Sequence, residues 1–277
     1  MLPNLLVIGA AKCGTTSLHE YLDEHPDVSM SAEKELDFFV PEKRRSDSVE
    51  WYESQFDARA PVRGESSPSY TAHPFYAGAP ARIRALIPDV RLVYLVRDPI
   101  ERTISHWLHR VSTHADMPSF EEALDSEQGE WIVGLSRYWL QLEQYLAHFP
   151  AEQILVVDSD DLRGRRDETL ERIFRFVGVD PGFRSAAFEH EHVPVARPTR
   201  RNPAGRAVLG GMRRALGSER ASAVLAHAPA ALKAPFRRAV ERPVLSAEIR
   251  TRLEHELRPE AERLRAHTGQ AFAGWSV

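Results

Sequence analysis

The segment Asn4-Leu5-Leu6-Val7-Ile8-Gly9-Ala10-Ala11-Lys12-Cys13-Gly14-Thr15-Thr16-Ser17 constrains this chain more than any other. Asn4 to Ile8 is a nearly continuous apolar run, the pattern of a strand covered on both faces of a parallel sheet. Leu18, Tyr21 and Leu22 follow at helical spacing until His25-Pro26 stops the helix. A strand, a glycine-rich turn and a helix in that order point to an α/β fold. The turn aims backbone N–H groups and a positive helix end at an anion, and Thr15, Thr16 and Ser17 add hydroxyl donors.

Two further units repeat the theme. Val90 to Val96 reads as a strand that Arg97-Asp98-Pro99 breaks, ahead of a helix through Arg102, Ser105, His106 and His109. Ile154 to Val157 reads as another, followed by a helix with Leu170, Ile173, Phe174 and Val177 on one face. Val28 to Met30 and Val62 to Glu65 are weaker strand candidates. The alternation predicts a P-loop-like three-layer fold, a central parallel sheet flanked by helices, with ligands at the carboxyl ends of the strands. A single domain over residues 1–277 is expected, ample for one core. Pro194 to Gly217 differs in character, with Arg197, Arg200, Arg201, Arg206, Arg213 and Arg214 and no acid. Its prolines predict a loop at its start, and residues 194–245 read as a basic loop and helical insertion, a lid over cofactor or acceptor.

A net charge of −4 argues against a dedicated nucleic-acid binder, which needs a basic surplus to displace counterions. One cysteine, Cys13, excludes an internal disulfide or a cysteine-cluster metal site and fits a reducing cytoplasm. A catalytic role for its thiol lacks a visible partner base. The apolar run near the start is too short to span a bilayer and lacks the flanks of a signal peptide, so a cytoplasmic chain with no transmembrane segment is expected. Of 36 basic residues only Lys12, Lys34, Lys43 and Lys233 are lysines. Where this chain keeps Lys, a compact point charge is wanted instead of a planar fork.

A Walker loop places its lysine after the second glycine and follows it with a hydroxyl for Mg²⁺. Here Lys12 precedes Gly14, and Thr15 follows it. Asp98 and Asp158, the acids at strand ends that a Mg²⁺-dependent nucleotide kinase would require, read more simply as helix caps. The kinase remains an alternative, as does a non-catalytic module that binds nucleotides or anions.

Lys12 to Ser17 after a strand, together with Arg97-Asp98-Pro99-Ile100-Glu101-Arg102-Thr103-Ile104-Ser105, resembles the two cofactor motifs of the sulfotransferases. Lys34-Glu35-Leu36-Asp37-Phe38-Phe39 and Gly64-Glu65-Ser66-Ser67-Pro68-Ser69-Tyr70 resemble, in order, segments of the carbohydrate branch related to the heparan sulfate enzymes. Gln153 to Leu162, Phe174 to Val179 and Arg263 to Trp275 resemble later blocks of bacterial members, so the resemblance runs along nearly the whole chain.

The resemblance implies a metal-independent enzyme using 3′-phosphoadenosine 5′-phosphosulfate and releasing adenosine 3′,5′-bisphosphate. Lys12, Cys13, Gly14, Thr15, Thr16 and Ser17 would hold the 5′-phosphosulfate, and Arg97 and Ser105 the 3′-phosphate. A guanidinium fork at a strand end grips phosphate bidentately, and Ser105 lies about two helical turns further on. Arg200 or Arg201 stands roughly where the family closes a basic segment over the 3′-phosphate; attraction of an acidic acceptor or a plain solvated face are the other readings of that run. Glu35 matches the catalytic glutamate and would deprotonate the acceptor, with His19, His106 and His109 as rival bases. His106 and His109 share a helical face, but no third metal ligand stands out. Asp37 and Ser66 stand where the heparan enzymes often carry His and Lys, which argues against a highly sulfated polysaccharide. A hydroxyl or amine of a small molecule, lipid or saccharide remains open as acceptor, with Trp51, Tyr52, Trp107, Trp131, Tyr138 and Trp139 as candidate pocket walls.

Overall fold

Five consecutive apolar positions produce a strand with no exposed face: β1 (Leu5–Gly9) is buried throughout. Residues 1–114, 117–189, 199–217, 220, 224, 235 and 237–277 are described by the computed structural model. β2 (Val28–Met30), β3 (Val62–Ser66), β4 (Arg91–Val96) and β5 (Ile154–Asp158) join β1 in the order β2-β3-β1-β4-β5, every pairing parallel. Each strand lies within a residue of where the sequence reading places it. The register sets Leu5 beside Gly64 on one side and Arg91 on the other.

Helices α1 (Thr15–Asp23), α2 (Val49–Glu53), α3 (Ala79–Leu86), α4 (Pro99–Thr113), α5 (Phe120–Leu124), α6 (Glu127–Gly134), α7 (Tyr138–Leu146), α8 (Ser159–Gly164) and α9 (Arg166–Val177) follow in chain order, then α10 (Pro203–Leu216) and α11 (Ala247–Thr268). The chain leaves β1 toward β2 and leaves β4 toward β5, in opposite directions, although β1 and β4 are neighbours. That reversal opens a crevice between their carboxyl ends, where open α/β sheets bind ligands. Gly9 and Arg97 stand at its two sides. Gly9 must be glycine for packing reasons: a Cβ there would sit 1.9 Å from the Thr71 hydroxyl, whose oxygen donates to the Ile8 carbonyl at 3.1 Å.

The C-terminal helix and tail complete the rim. Leu253, Leu257 and Leu264 of α11 are buried, and Arg137 at the start of α7 pairs with Glu256 at 2.8 Å. The Trp275 indole donates to Asp158 at 3.1 Å, and the Ser276 N–H donates to Asp98. Both acids expected as helix caps act as caps: Asp98 accepts from the Glu101 N–H and Asp158 from the Asp160 N–H.

The arginine-rich segment departs from expectation. Instead of a plain loop, residues 199–201 form β6 (Thr199–Arg201), antiparallel to β7 (Arg237–Ala239). The partner is distant in sequence, so no local pattern announces the pairing. Asn202 caps α10 by accepting from the Gly205 N–H at 2.8 Å, with Pro203 in the first turn. Pro194, Arg197 and Pro198 lie outside the described residues. Among the described residues, no helix is long and apolar enough to cross a membrane.

Candidate functional site

α1 begins without a side-chain cap. Its N-cap is Gly14, held at φ 89°, and no side chain accepts from the first turn, unlike α4 and α11, which Asp98 and Ser246 cap. The first N–H groups of a helix have no intrahelical acceptor, so they remain available to an anion. The preceding turn is tied to the sheet: Ala10 donates to the Leu95 carbonyl at 2.6 Å and Cys13 to Ala10 at 3.1 Å. Lys12 adopts φ 73°, a left-handed conformation that costs a non-glycine residue about 1–3 kcal/mol. A cleft of about 830 Å³ opens here, with Lys12, Gly14, Thr15, Thr16, Glu35 and Ser105 on its wall.

Glu35 reaches this wall because its loop is strapped to the end of β3. Its N–H donates to the Ser66 carbonyl at 3.0 Å, and the Asp37 N–H donates to the Ser67 hydroxyl at 3.0 Å. Below them Glu65, fully buried, accepts from the hydroxyls of Tyr52 at 2.7 Å, Tyr70 at 2.6 Å and Ser67 at 2.5 Å. A buried carboxyl with three donors fixes the strand end instead of costing its desolvation unopposed. Glu35 itself is left-handed at φ 63° and pairs with Lys34 at 2.9 Å. Burial pushes its pKa up, but Lys34, by charge and hydrogen bond, with Lys43 and His109, outweighs it and leaves the carboxyl below its ordinary range. Lys12 is lowered, chiefly by burial; Glu35 opposes the shift, while Lys34 and Arg102 add to it.

Several expected residues stand elsewhere. The Cys13 side chain is turned into the core: the thiol lies 3.6 Å from the Tyr138 hydroxyl, and burial pushes it up to about 11, so it is neither nucleophile nor cleft wall. Ser17 is half-buried on α1, off that wall. Arg97 is also off it; its guanidinium lies 3.6 Å from Glu101, and its N–H donates to Tyr138 at 3.3 Å. Arg200 and Arg201 belong to β6, which packs against α4, and Thr199 beside them lines the cleft; their side chains are outside the described residues.

The rival bases separate by their partners. His19 donates from Nε2 to the Ser31 carbonyl at 3.2 Å and accepts at Nδ1 from Ser66 at 3.0 Å, so both nitrogens are spent in the core. His106 accepts at Nδ1 from Arg102 at 3.3 Å, which leaves it neutral with its proton on Nε2. Burial and the Arg102 charge push it down to about 2. His106 and His109 both border the cleft, but His106 is buried while His109 is exposed there, its pKa lowered by burial and Lys12. Among the described residues no three His, Cys, Asp or Glu side chains converge as a metal site. The kinase alternative also weakens, because Asp98 and Asp158 are occupied by helix N–H groups and the C-terminal tail.

Sequence reasoning overlooked Arg102. It is fully buried under the loop, donating to Ser136 Oγ at 2.5 Å, to the Ala11 carbonyl at 3.4 Å and to the Ile132 carbonyl. Nothing in the linear pattern separates it from an ordinary surface arginine of α4, apart from the i,i+4 relation to His106. Of the six aromatic candidates, Trp131 alone lines the cleft, joined by Tyr76. Tyr52, Trp107 and Tyr138 are core.

The sulfotransferase domain family matches residues 2–192. The mouse heparan sulfate glucosamine 3-O-sulfotransferase 3B1 is 33% identical over 189 residues, covering 64% of this chain and 46% of its own length. The Caenorhabditis elegans bifunctional heparan sulfate N-deacetylase/N-sulfotransferase 1 is 30% identical over 194 residues, covering 64% and 22%. The chain thus spans less than half the length of these curated relatives. A sulfotransferase crystal structure from Alicyclobacillus acidocaldarius superposes with a TM-score of 0.71 at 22% identity, covering both chains completely, and shows the same fold.

Proposed function

The chain belongs to the sulfotransferase domain family, and from that premise we propose that it moves a sulfuryl group from 3′-phosphoadenosine 5′-phosphosulfate to a hydroxyl or amine of a small-molecule, lipid or saccharide acceptor. The observation that carries this reading is the meeting of Lys12, the uncapped start of α1 and Glu35 on one cleft at the switch point of the sheet. A donor with phosphates at both ends of a nucleoside suits anion sites on the adjacent strands β1 and β4. The fit is favourable: among the described residues Lys12 has no carboxylate within salt-bridge distance, and the first N–H groups of α1 await an acceptor.

In this reading the Thr15 and Thr16 donors orient the sulfate and phosphate oxygens. Arg97 and Ser105 hold the 3′-phosphate, Arg97 by exchanging its loose contact with Glu101. Glu35 takes the acceptor proton as the acceptor atom bonds to sulfur, and Lys12 stabilises the charge left on the 5′-phosphate when the old sulfur–oxygen bond opens. The saccharide acceptors named for the relatives favour a sugar among the candidates. Thr199 on the cleft supports a covering role for the 194–245 segment, in which Arg200 or Arg201 would bind the donor.

Adenosine 3′,5′-bisphosphate is expected to raise the melting temperature without Mg²⁺, since binding to the folded state stabilises it by mass action. Glu35→Gln should keep that shift and lose about 10²–10⁴-fold in turnover. Absence of the shift at ligand well above micromolar sinks the reading. A persisting shift with undiminished turnover removes Glu35 from its role.

A further inference from the structure

The charges on the cleft wall, counted in pairs, constrain the acceptor. Lys34 is held by Glu35 at 2.9 Å. Lys43 is held by the buried carboxylate of Asp37 at 2.6 Å. Asp37 is fixed in turn by the Ser69 hydroxyl and by its own N–H on Ser67. His106 is neutral for the reason given above, and His109 is pushed toward its neutral form. Lys12 remains, and on the proposed reading the donor's phosphosulfate takes it. With donor bound, the described wall holds no cation without a carboxylate partner, so among the described residues a polyanionic acceptor would find no free positive charge to offset its loss of water.

Away from the loop the same cleft becomes apolar. Trp131 on α6, Leu108, Leu135 and Tyr76 line it. The Trp131 ring is braced before any ligand arrives, packed 4.5 Å from Phe75 and 5.4 Å edge-on from Tyr76. The Phe75 brace sits against Gly134, where a Cβ would meet the ring at 3.3 Å. A fixed indole with hydroxyl and imidazole groups nearby, Ser112 and His109, fits a flat apolar face that carries hydroxyls at its edge.

We propose that the acceptor is an uncharged hydroxyl compound whose flat apolar face, an aryl ring or the C–H face of a sugar, lies on Trp131 while its hydroxyl meets Glu35. The proposal rests on the sulfotransferase reading, and the experiment separates the two. Formation of adenosine 3′,5′-bisphosphate from the phosphosulfate donor is followed with 2-naphthol, with a neutral alkyl glucoside and with N-sulfated heparosan, using the full chain. One or both neutral acceptors should be used at least tenfold better, by kcat/KM, than the polyanion; which of them is preferred tells aryl from sugar. Trp131→Ala should raise the KM of the preferred acceptor about tenfold, with the KM of the donor unchanged, and Trp131→Phe should recover most of the loss. Melting curves with and without adenosine 3′,5′-bisphosphate check that both variants fold and bind it.

Preference for heparosan overturns the inference, and so does a Trp131→Ala enzyme with unaltered acceptor KM. A ligand-induced melting shift with no turnover of either neutral acceptor overturns it too, while leaving the donor site standing. Loss of the melting shift in the parent chain overturns the sulfotransferase reading instead.

Discussion

Lys12 and Glu35 both occupy the left-handed region, at φ 73° and 63°, where side chains other than glycine are strained. Two such residues facing one cleft mark a backbone held by its surroundings, in this case by the Leu95 and Ser66 carbonyls. Their charges set the expected pH profile. Glu35 lies below the ordinary carboxylate range, so kcat/KM should show no loss on the acid side until below about pH 4.3. Lys12 is lowered, so the alkaline limb should fall below the ordinary lysine value of 10.5. A pH–rate profile checks both, and an acid limb above the ordinary carboxylate range and below the ordinary imidazole value would assign the proton to His109. Arg102 carries a second prediction. Arg102→Met takes the donor from the Ala11 and Ile132 carbonyls, while Ser136 keeps its Thr103 and Pro99 partners, at about 1–3 kcal/mol for each buried group left unpaired. The variant should melt lower and show a higher donor KM, and Arg102→Lys should restore stability better than donor binding, because one ammonium cannot span the fork's three directions. Lys12 stood out in the sequence by residue type and order, and Glu35 and the Arg97–Ser105 pair through the family resemblance. Arg102 did not, because burial is a property of the packed chain.

Two helices leave adjacent strands at the same rim and start in opposite ways. α1 has Gly14 and open N–H groups; α4 has Asp98, Pro99 and Glu101, a full set of start signals. The uncapped helix is the one at the candidate phosphosulfate site, while the stability of the capped helix is served by its own carboxylate. Asp98→Ala should therefore cost about 0.5–2 kcal/mol through the cap alone, read as a lower urea midpoint, with a further loss from releasing Ser276. At this scale β1, β4 and β5 were legible, because buried parallel strands write themselves as apolar runs, while β2 and β3, broken by Ser29 and by Arg63 to Ser66, were only weakly so. β6 and β7 were not: Thr199–Arg201 and Arg237–Ala239 carry no apolar alternation, and each is a strand only by virtue of the other.

Across the whole molecule, the C-terminal tail ties the ends of β4 and β5 through Asp98 and Asp158. Burial raises the Asp158 carboxyl from 3.8 to about 6, with Asp160 and Asp161 adding to the shift against the Asp160 N–H and Trp275 bonds. Between those values the folded chain holds a proton that the unfolded chain releases. The resulting stability is fully present below pH 3.8 and is lost as pH rises through about 6. Asp158→Asn removes that titration, so its melting temperature should gain on the parent's between pH 4 and pH 7, as thermal melts across that range would show. The blocks at 153–162 and 263–275 were visible as family resemblance, yet their meeting was not, since no periodicity links residues so far apart. The two tail contacts span 117 and 178 positions of sequence. Such long loops close late, and during synthesis they cannot close until residue 276 has left the ribosome. The sheet can therefore form before its rim is sealed, and the crevice at the ends of β4 and β5 gains its final shape only once the segment around Trp275 and Ser276 has been made.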